Sequence, residues 1–273
     1  MPRNLKITLA YDGTAYVGWQ RQASGVSIQG LVEEALARID GAPVTVHGAG
    51  RTDAGVHAIG QVASARVSTR LAAPTLRRAL NSMLPPDIRV AAVEDGAPGF
   101  HARYDAIGKT YEYWIWQGEV QPPFVRAWSW HIPRHLDVAA MDAAARAIEG
   151  THDFTVFQSR RGSVKKAVRT ITTARVRAVE PPYETAADPR RSWPSEPGGR
   201  GWLVVTVEAN GFLRHMVRAI VGTLVEVGDG RREAGSMAAL VDARDRIASG
   251  PTAPAHGLLL VRVAYPPPAG EAP

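Results

Sequence analysis

The chain has 273 residues, a net charge of +6 and no cysteine, and 45% of its residues are hydrophobic. This length and composition are typical of a globular protein with one large domain or two modest ones. The lack of cysteine excludes disulfides, thiolate zinc sites and cysteine nucleophiles. The opening residues lack the apolar stretch of a signal peptide, and no segment approaches the roughly 20 apolar residues of a membrane span. We therefore expect a cytoplasmic protein without membrane association.

The basic residues are mostly arginine, since only four of the 32 are lysine. Arginine grips phosphate with a planar, two-pronged group and stacks on bases, which favours a nucleic-acid partner. The abundant Ala, Gly and Pro indicate instead the codon bias of a GC-rich genome. Charge alone leaves both interpretations open.

The first part of the chain predicts, in order, a strand, a helix, two strands, a helix and a strand. Leu5, Ile7 and Leu9 alternate with polar or small residues, as in a half-buried strand. Ser27 is a suitable N-cap for the first helix, and Gly41 is a suitable stop. The later elements are expected at residues 44–46, 61–67, 74–84 and 88–93.

The second part of the chain repeats this order loosely. Asp137 is a suitable N-cap for a helix, and the stretch 181–201, rich in Pro, Arg, Ser and Gly, is typical of a solvent loop. Strands are expected at 110–116, 170–179, 202–209 and 258–264, and helices at 138–148, 212–227 and 233–241. We therefore predict an α+β fold of two similar halves, residues 1–106 and 107–273.

The stretch from Gly48 to His57 is the most informative segment, because three glycines flank Arg51 and Asp53 between two predicted strands. Such a loop lets backbone approach a ligand closely and presents side chains outward. The glycine spacing fits neither a dinucleotide-binding motif nor a P-loop. Taken alone, an Arg-x-Asp pair is more often a local turn or an ion pair than a catalytic site.

Two histidines, His47 and His57, bracket this loop, and a third, His101, lies further along the chain. No HExxH motif and no close carboxylate partner accompanies them. We interpret them as hydrogen-bonding or packing residues, and we predict neither a metal site nor a cofactor site.

Residues 51–58, Arg-Thr-Asp-Ala-Gly-Val-His-Ala, resemble the catalytic signature of the bacterial tRNA pseudouridine synthase A family. The other family blocks stand in order at residues 11–20, 81–88, 100–113, 152–154, 211–222 and 257–260. The resemblance covers about residues 4–265. One departure is Arg214-His215, where the family often has Tyr-Asn, but Arg218 in the same block is retained.

This resemblance implies the pseudouridine synthase fold, in which two α+β halves share a largely antiparallel mixed sheet with helices on one side. The first half would carry the catalytic Asp loop, and the second would complete the active-site cleft. The resemblance also implies isomerisation of uridines at positions 38, 39 and 40 of the tRNA anticodon arm, with base flipping and without a cofactor. The family further implies a homodimer in which each tRNA touches both subunits.

The resemblance assigns a role to each of four residues. Asp53 would be the catalytic nucleophile, and Arg218 would be its ion-pair partner. Tyr111 would stack on the flipped uracil, and its hydroxyl could assist removal of the C5 proton. Arg51 would occupy the space that the flipped base leaves, with plain phosphate binding as its alternative role.

A non-catalytic RNA-binding domain of the same fold is the main alternative, because basic charge and paired α+β halves also suit RNA recognition. The sequence lacks the strand motif with stacking aromatics that RNA-recognition domains carry, which counts against it. A zinc-dependent nucleobase deaminase is excluded, because it needs a Pro-Cys-x-x-Cys motif.

Overall fold

The computed structural model describes residues 2–159, 167–179, 201–245 and 247–267. The chain divides into two compact units: Met1–Lys109 with Leu259–Pro273, and Thr110–Leu258. The described residues form ten strands and five α-helices, which confirms the predicted α+β class. The predicted solvent loop at 181–201 lies outside the described residues except for Gly201.

The first unit combines a mostly antiparallel sheet with two helices. Its strands follow the order β4-β1-β3-β10, and β2 also pairs with β3. All these pairs are antiparallel except β3 with β10, which run parallel. The elements are β1 (Arg3–Tyr11), α1 (Ile28–Asp40), β2 (Val46–Gly48), β3 (His57–Val67), α2 (Ala73–Met83), β4 (Ile88–Asp95) and β10 (Leu258–Ala264).

Local chemistry explains the elements of the first unit that the sequence predicts best. Leu5, Ile7 and Leu9 are fully buried on β1, which is paired on both edges. The Ser27 hydroxyl accepts a hydrogen bond from the Gly30 N–H at 3.2 Å, so α1 begins where an N-cap predicts. Gly41 ends α1 in the left-handed region at φ 77°. These three predictions are confirmed.

The second unit contains three helices and its own strands, in the order β5-β9-β8-β7 with β6 beside β5. The Asp137 carboxylate accepts from the Ala140 N–H at 2.9 Å and caps α3, as predicted. Helix α3 packs against β8 and α4. The elements are β5 (Gly108–Trp116), β6 (Trp130–His131), α3 (Val138–Arg146), β7 (Gly150–Asp153), β8 (Val168–Val179), β9 (Trp202–Ala209), α4 (Met216–Gly228) and α5 (Ser236–Ala243).

The structure differs from the sequence-based elements in several places. Helix α4 begins at Met216, four residues later than predicted, because His215 lies in the left-handed region at φ 64° and cannot continue a helix. The short strands β6 and β7 were not predicted, because they consist of two and four residues. The last strand, which the sequence-based division placed in the second half, pairs with the first unit through Leu259 and Leu260.

Candidate active site

The loop between β2 and β3 carries the predicted nucleophile and holds it at intermediate exposure. Asp53 is half-buried, its neighbour Thr52 is buried, and Arg51 is exposed. The Val56 N–H donates to the Asp53 backbone carbonyl at 3.1 Å, which closes a turn directly after the carboxylate. Asp53 is therefore the first residue of this turn and Arg51 lies just before it, with the buried Thr52 between the two charged residues.

Thr52 anchors this turn through both its side chain and its backbone. Its hydroxyl lies 2.9 Å from the Tyr11 hydroxyl, and its carbonyl accepts from the Trp19 N–H at 3.1 Å. The buried Gln61 amide donates to the Tyr11 hydroxyl at 3.3 Å and to the Gly50 carbonyl at 3.0 Å. Burial raises the pKa of Tyr11 to about 12, so this hydroxyl stays protonated at neutral pH. Its hydrogen bonds to Thr52 and Gln61 therefore do not change near neutral pH.

The segment at residues 11–20 packs directly on the loop between β2 and β3, which we call the catalytic loop after its predicted role. The Gly13 N–H donates to Nδ1 of the buried His57 at 3.0 Å. His47 stacks on His101 with ring centroids 4.9 Å apart. Hydrogen bonding and packing are therefore the confirmed roles of these histidines. Among the described residues, no group of three or more His, Asp or Glu side chains is arranged to hold a metal ion.

Gly18 is one of the points where that segment comes closest to the loop between β2 and β3. Its φ is +105°, and a Cβ atom there would lie 2.5 Å from the Thr52 carbonyl oxygen. We expect Gly18→Ala to lower both the free energy of unfolding, by about 2–4 kcal/mol, and the activity, by at least about tenfold, because the Thr52 anchor must move. Urea unfolding and initial rates measure the two effects.

Gly41→Ala is the matched control, because Gly41 also has positive φ, +77°, but a Cβ there meets nothing within 4 Å. It is expected to cost about 1 kcal/mol of stability and leave activity unchanged. Equal effects of the two substitutions would show that backbone strain alone matters at Gly18.

Tyr111 lies on β5 in the second unit and is buried, with 7% of its surface exposed. Its ring packs edge-on against Phe212, with centroids 5.1 Å apart and planes at 85°. Tyr113, the next residue on the same face of the strand, is fully buried and donates its hydroxyl to the Pro254 carbonyl at 2.8 Å. Tyr111 is thus held by a rigid strand and one aromatic neighbour.

Arg218 lies in the first turn of α4 and is half-buried. Its Nε donates to the Ala253 carbonyl at 2.7 Å, and its own carbonyl accepts from the Ala253 N–H at 3.0 Å. Burial raises the pKa of Tyr113 far above its ordinary value, and the positive charge of Arg218 opposes that rise. The guanidinium therefore acts electrostatically on the face of β5 that also carries Tyr111.

The departure from the family pattern at His215 has a conformational explanation. His215 adopts φ 64°, a region in which asparagine and histidine are enriched among residues other than glycine. The family's asparagine and this histidine therefore suit the same backbone geometry. The structure keeps Arg51 and Asp53 in the first unit, and Tyr111 and Arg218 in the second.

Sequence reasoning missed the residues that support the catalytic loop, chiefly Tyr11, Gln61 and Lys109. Gln61 is fully buried, and a buried amide in a run of small and apolar residues was the available signal. The Lys109 side chain packs beside Gly50, where an added Cβ would lie 3.3 Å from the Lys109 Cε. Tyr11 and Lys109 both stand in the blocks on which the family resemblance rests.

Comparisons with known proteins identify the family to which the chain is similar. A family model described as tRNA pseudouridine synthase matches residues 7–105 and 144–266. The chain is 44% identical to tRNA pseudouridine synthase A of Moorella thermoacetica, over 96% of this chain and 99% of that protein. It is 42% identical to the Geobacter sulfurreducens protein of the same name, over 96% of this chain and 100% of that protein.

These similarities define an RNA-modifying enzyme, and the chain belongs to the tRNA pseudouridine synthase family. Enzymes of this family isomerise uridine to pseudouridine in tRNA. No helix among the described residues is long and apolar enough to cross a membrane.

Proposed function

We propose that this enzyme converts uridines at positions 38, 39 and 40 of the tRNA anticodon arm to pseudouridine. The observation that carries the proposal is the anchored Arg51-Thr52-Asp53 turn, in which a buried threonine bonded through hydroxyl and carbonyl fixes the carboxylate that follows it. The nearly full-length similarity to enzymes named tRNA pseudouridine synthase A supports the same substrate.

The reaction breaks the N1–C1′ bond of uridine, rotates the uracil and joins C5 to C1′. C5 loses a proton and N1 gains one, so atoms balance without an oxidant, a reductant or a group donor. The site must supply a nucleophile that holds the substrate during rotation, a pocket with little water, and a group that removes the C5 proton. These needs are met by side chains alone.

In this mechanism Asp53 is the nucleophile. Arg218 is the ion-pair partner of this carboxylate and stabilises its negative charge in a site with little water. Tyr111 stacks on the flipped uracil, and its hydroxyl assists removal of the C5 proton. Its burial and its contact with Phe212 support a fixed ring, which suits stacking on a planar base.

Arg51 is proposed to replace the flipped base in the stack. Flipping costs a few kcal/mol of unstacking, and an inserted guanidinium offsets part of this cost. The exposure of Arg51 beside the half-buried Asp53 supports that role. Uridines in a loop or at a stem end are the least costly to extract, which agrees with positions 38–40.

We also propose that the enzyme acts as a homodimer in which each tRNA contacts both subunits. Its tRNA substrate places it in the cytoplasm. Both statements follow from the family rather than from a contact in this chain.

Tritium release from tRNA labelled at uridine C5 tests the function, because only C5–C1′ bond formation expels that label. The wild-type protein should release tritium from tRNA with uridine at position 38, 39 or 40. tRNA lacking uridine at all three positions is the control and should release none. Tight tRNA binding without any release would favour the alternative, a non-catalytic RNA-binding domain.

A further inference from the structure

A row of three aromatic rings lies on the first unit next to the catalytic loop. His47, the residue before Gly48, stacks on His101 with centroids 4.9 Å apart. His101 in turn packs on Tyr104 with centroids 4.3 Å apart and planes tilted by 33°. Tyr104 ends the row and is 75% exposed. We call His47, His101 and Tyr104 the aromatic row.

Backbone hydrogen bonds fix this row in place. Nδ1 of His101 accepts from the N–H groups of Arg103 at 3.1 Å and Tyr104 at 3.4 Å. The Asp105 carboxylate accepts from the His101 N–H at 2.8 Å. These bonds fix the His101 ring and the backbone that carries Tyr104, so this part of the surface needs little ordering when a ligand binds.

Two cations accompany the row. The Arg103 guanidinium lies over the Tyr104 ring, 5.8 Å from its centroid. Lys109 packs along Gly50 of the catalytic loop, and burial together with the charge of Arg103 lowers its pKa. Within the part of the chain that the structure describes, neither residue forms an ion pair with a carboxylate. Two neighbouring cations repel each other, and an external anion would relieve that repulsion.

We propose that the aromatic row, with Arg103 and Lys109, binds a single-stranded stretch of the RNA substrate beside the target uridine. One nucleobase stacks on the exposed Tyr104 at the end of the row, and the adjoining phosphates lie at Arg103 and Lys109. The identity of this RNA as the anticodon arm of tRNA rests on the proposed function.

The chemistry of the surface favours single-stranded RNA. Exposed aromatic rings with flanking cations are the usual means of holding unpaired nucleotides, because every base has a face that can stack. The row begins at His47, in the strand that leads into the catalytic loop, so RNA bound along the row reaches the start of that loop. The row therefore positions substrate and takes no part in bond breaking.

The test measures the affinity of an anticodon stem-loop RNA for the wild-type protein and three variants. Tyr104→Ala should weaken binding by about tenfold or more, since stacking on one aromatic ring contributes that much. Tyr104→Phe keeps the ring and should restore most of the affinity. Phe124→Ala removes another exposed aromatic, 91% exposed in the second unit, and should leave affinity unchanged.

A second readout reports stacking itself. 2-Aminopurine, placed in turn at each loop position next to the target uridine, should lose fluorescence at one position when wild-type protein binds. The same position should stay bright with Tyr104→Ala. A Kd for Tyr104→Ala equal to that of wild type would overturn the proposal. A change of oligomeric state with unchanged RNA affinity would also overturn it, since the row would then be a contact between copies of the chain.

The outcome for the row is separable from the outcome for the proposed function. Tritium release by the wild-type protein, together with unaltered RNA binding by Tyr104→Ala, would refute RNA binding by the aromatic row and support the proposed activity. Weaker binding by Tyr104→Ala without tritium release by the wild-type protein would support RNA binding by the aromatic row and refute the proposed activity.

Discussion

Asp53→Asn is expected to lower pseudouridine formation by at least about a thousandfold while tRNA affinity stays within about threefold of wild type. Asparagine has nearly the shape of aspartate, but its amide is not a nucleophile. The turn around position 53 should survive, because Val56 bonds to the backbone carbonyl of Asp53 and Thr52 is anchored independently. Tritium release and filter binding on the same preparations measure the two quantities.

Asp95→Asn is the matched control for this substitution. Asp95 lies on β4 in the same unit, with 61% of its side chain exposed, and its partner is Arg3 at 3.0 Å. Loss of an exposed ion pair contributes at most about 1 kcal/mol to stability, so this variant should retain full activity. Product formation by Asp53→Asn near the wild-type rate would refute the assignment of the nucleophile.

The fold was predictable where a few adjacent residues decide the structure. The ends of α1 follow from Ser27 and Gly41, and β9 runs from Trp202 to Ala209, the bounds that the sequence predicts. Each of these signals acts within one turn of helix or one strand. Sequence reasoning therefore identified the main strands and all five α-helices of the described residues.

The elements that escaped prediction depend on partners far along the chain. The helical spacing of apolar residues extends back from α4 to Phe212, but the left-handed residue His215 sets the start of the helix. A pattern of apolar residues does not show a backbone angle. Strand β7 has four residues and exists because β8, more than a dozen residues later, pairs with it. The assignment of β10 to the first unit likewise depends on pairing with β3.

The candidate site divides in the same way. The residue types of the Arg51-Thr52-Asp53 turn could be read from the sequence, but their role came from resemblance to a family. The support that fixes the turn is long-range: Tyr11 and Gln61 are 50 residues apart and meet through one hydrogen bond. The spacing of residues along the sequence does not predict such a contact.

The remaining large effect is expected at Arg218, whose position on α4 is costly for a charge. Eleven of the thirteen residues of α4 are buried, and only Arg218 and Glu226 are not. Glu226 is neutralised by Arg232 at 3.0 Å. The Ala253 carbonyl holds one edge of the Arg218 guanidinium but supplies no negative charge. A half-buried cation at such a position favours a role that needs its charge.

We expect Arg218→Ala to lower turnover at saturating tRNA by about a hundredfold to a thousandfold, the effect of removing one group that stabilises charge during the reaction. Affinity for tRNA should change by less than about threefold. Arg218→Lys should restore activity only in part, because lysine keeps the charge but lacks the two-pronged geometry. Thermal unfolding should show a loss of about 1 kcal/mol, the contribution of the hydrogen bond to Ala253.

Arg214 supplies the comparison that separates charge support from phosphate binding. In a helix that began at residue 212, as predicted, Arg214 would lie one turn before Arg218 on the same face. In the structure Arg214 precedes α4 and is exposed. If Arg218 binds phosphate, both Arg218→Ala and Arg214→Ala should weaken tRNA affinity and lower its salt slope by about one unit. If Arg218 supports the Asp53 carboxylate, only Arg218→Ala should reduce turnover at saturating tRNA, and neither variant should change the tRNA affinity by more than about threefold. Unchanged turnover at saturation would refute the ion pair.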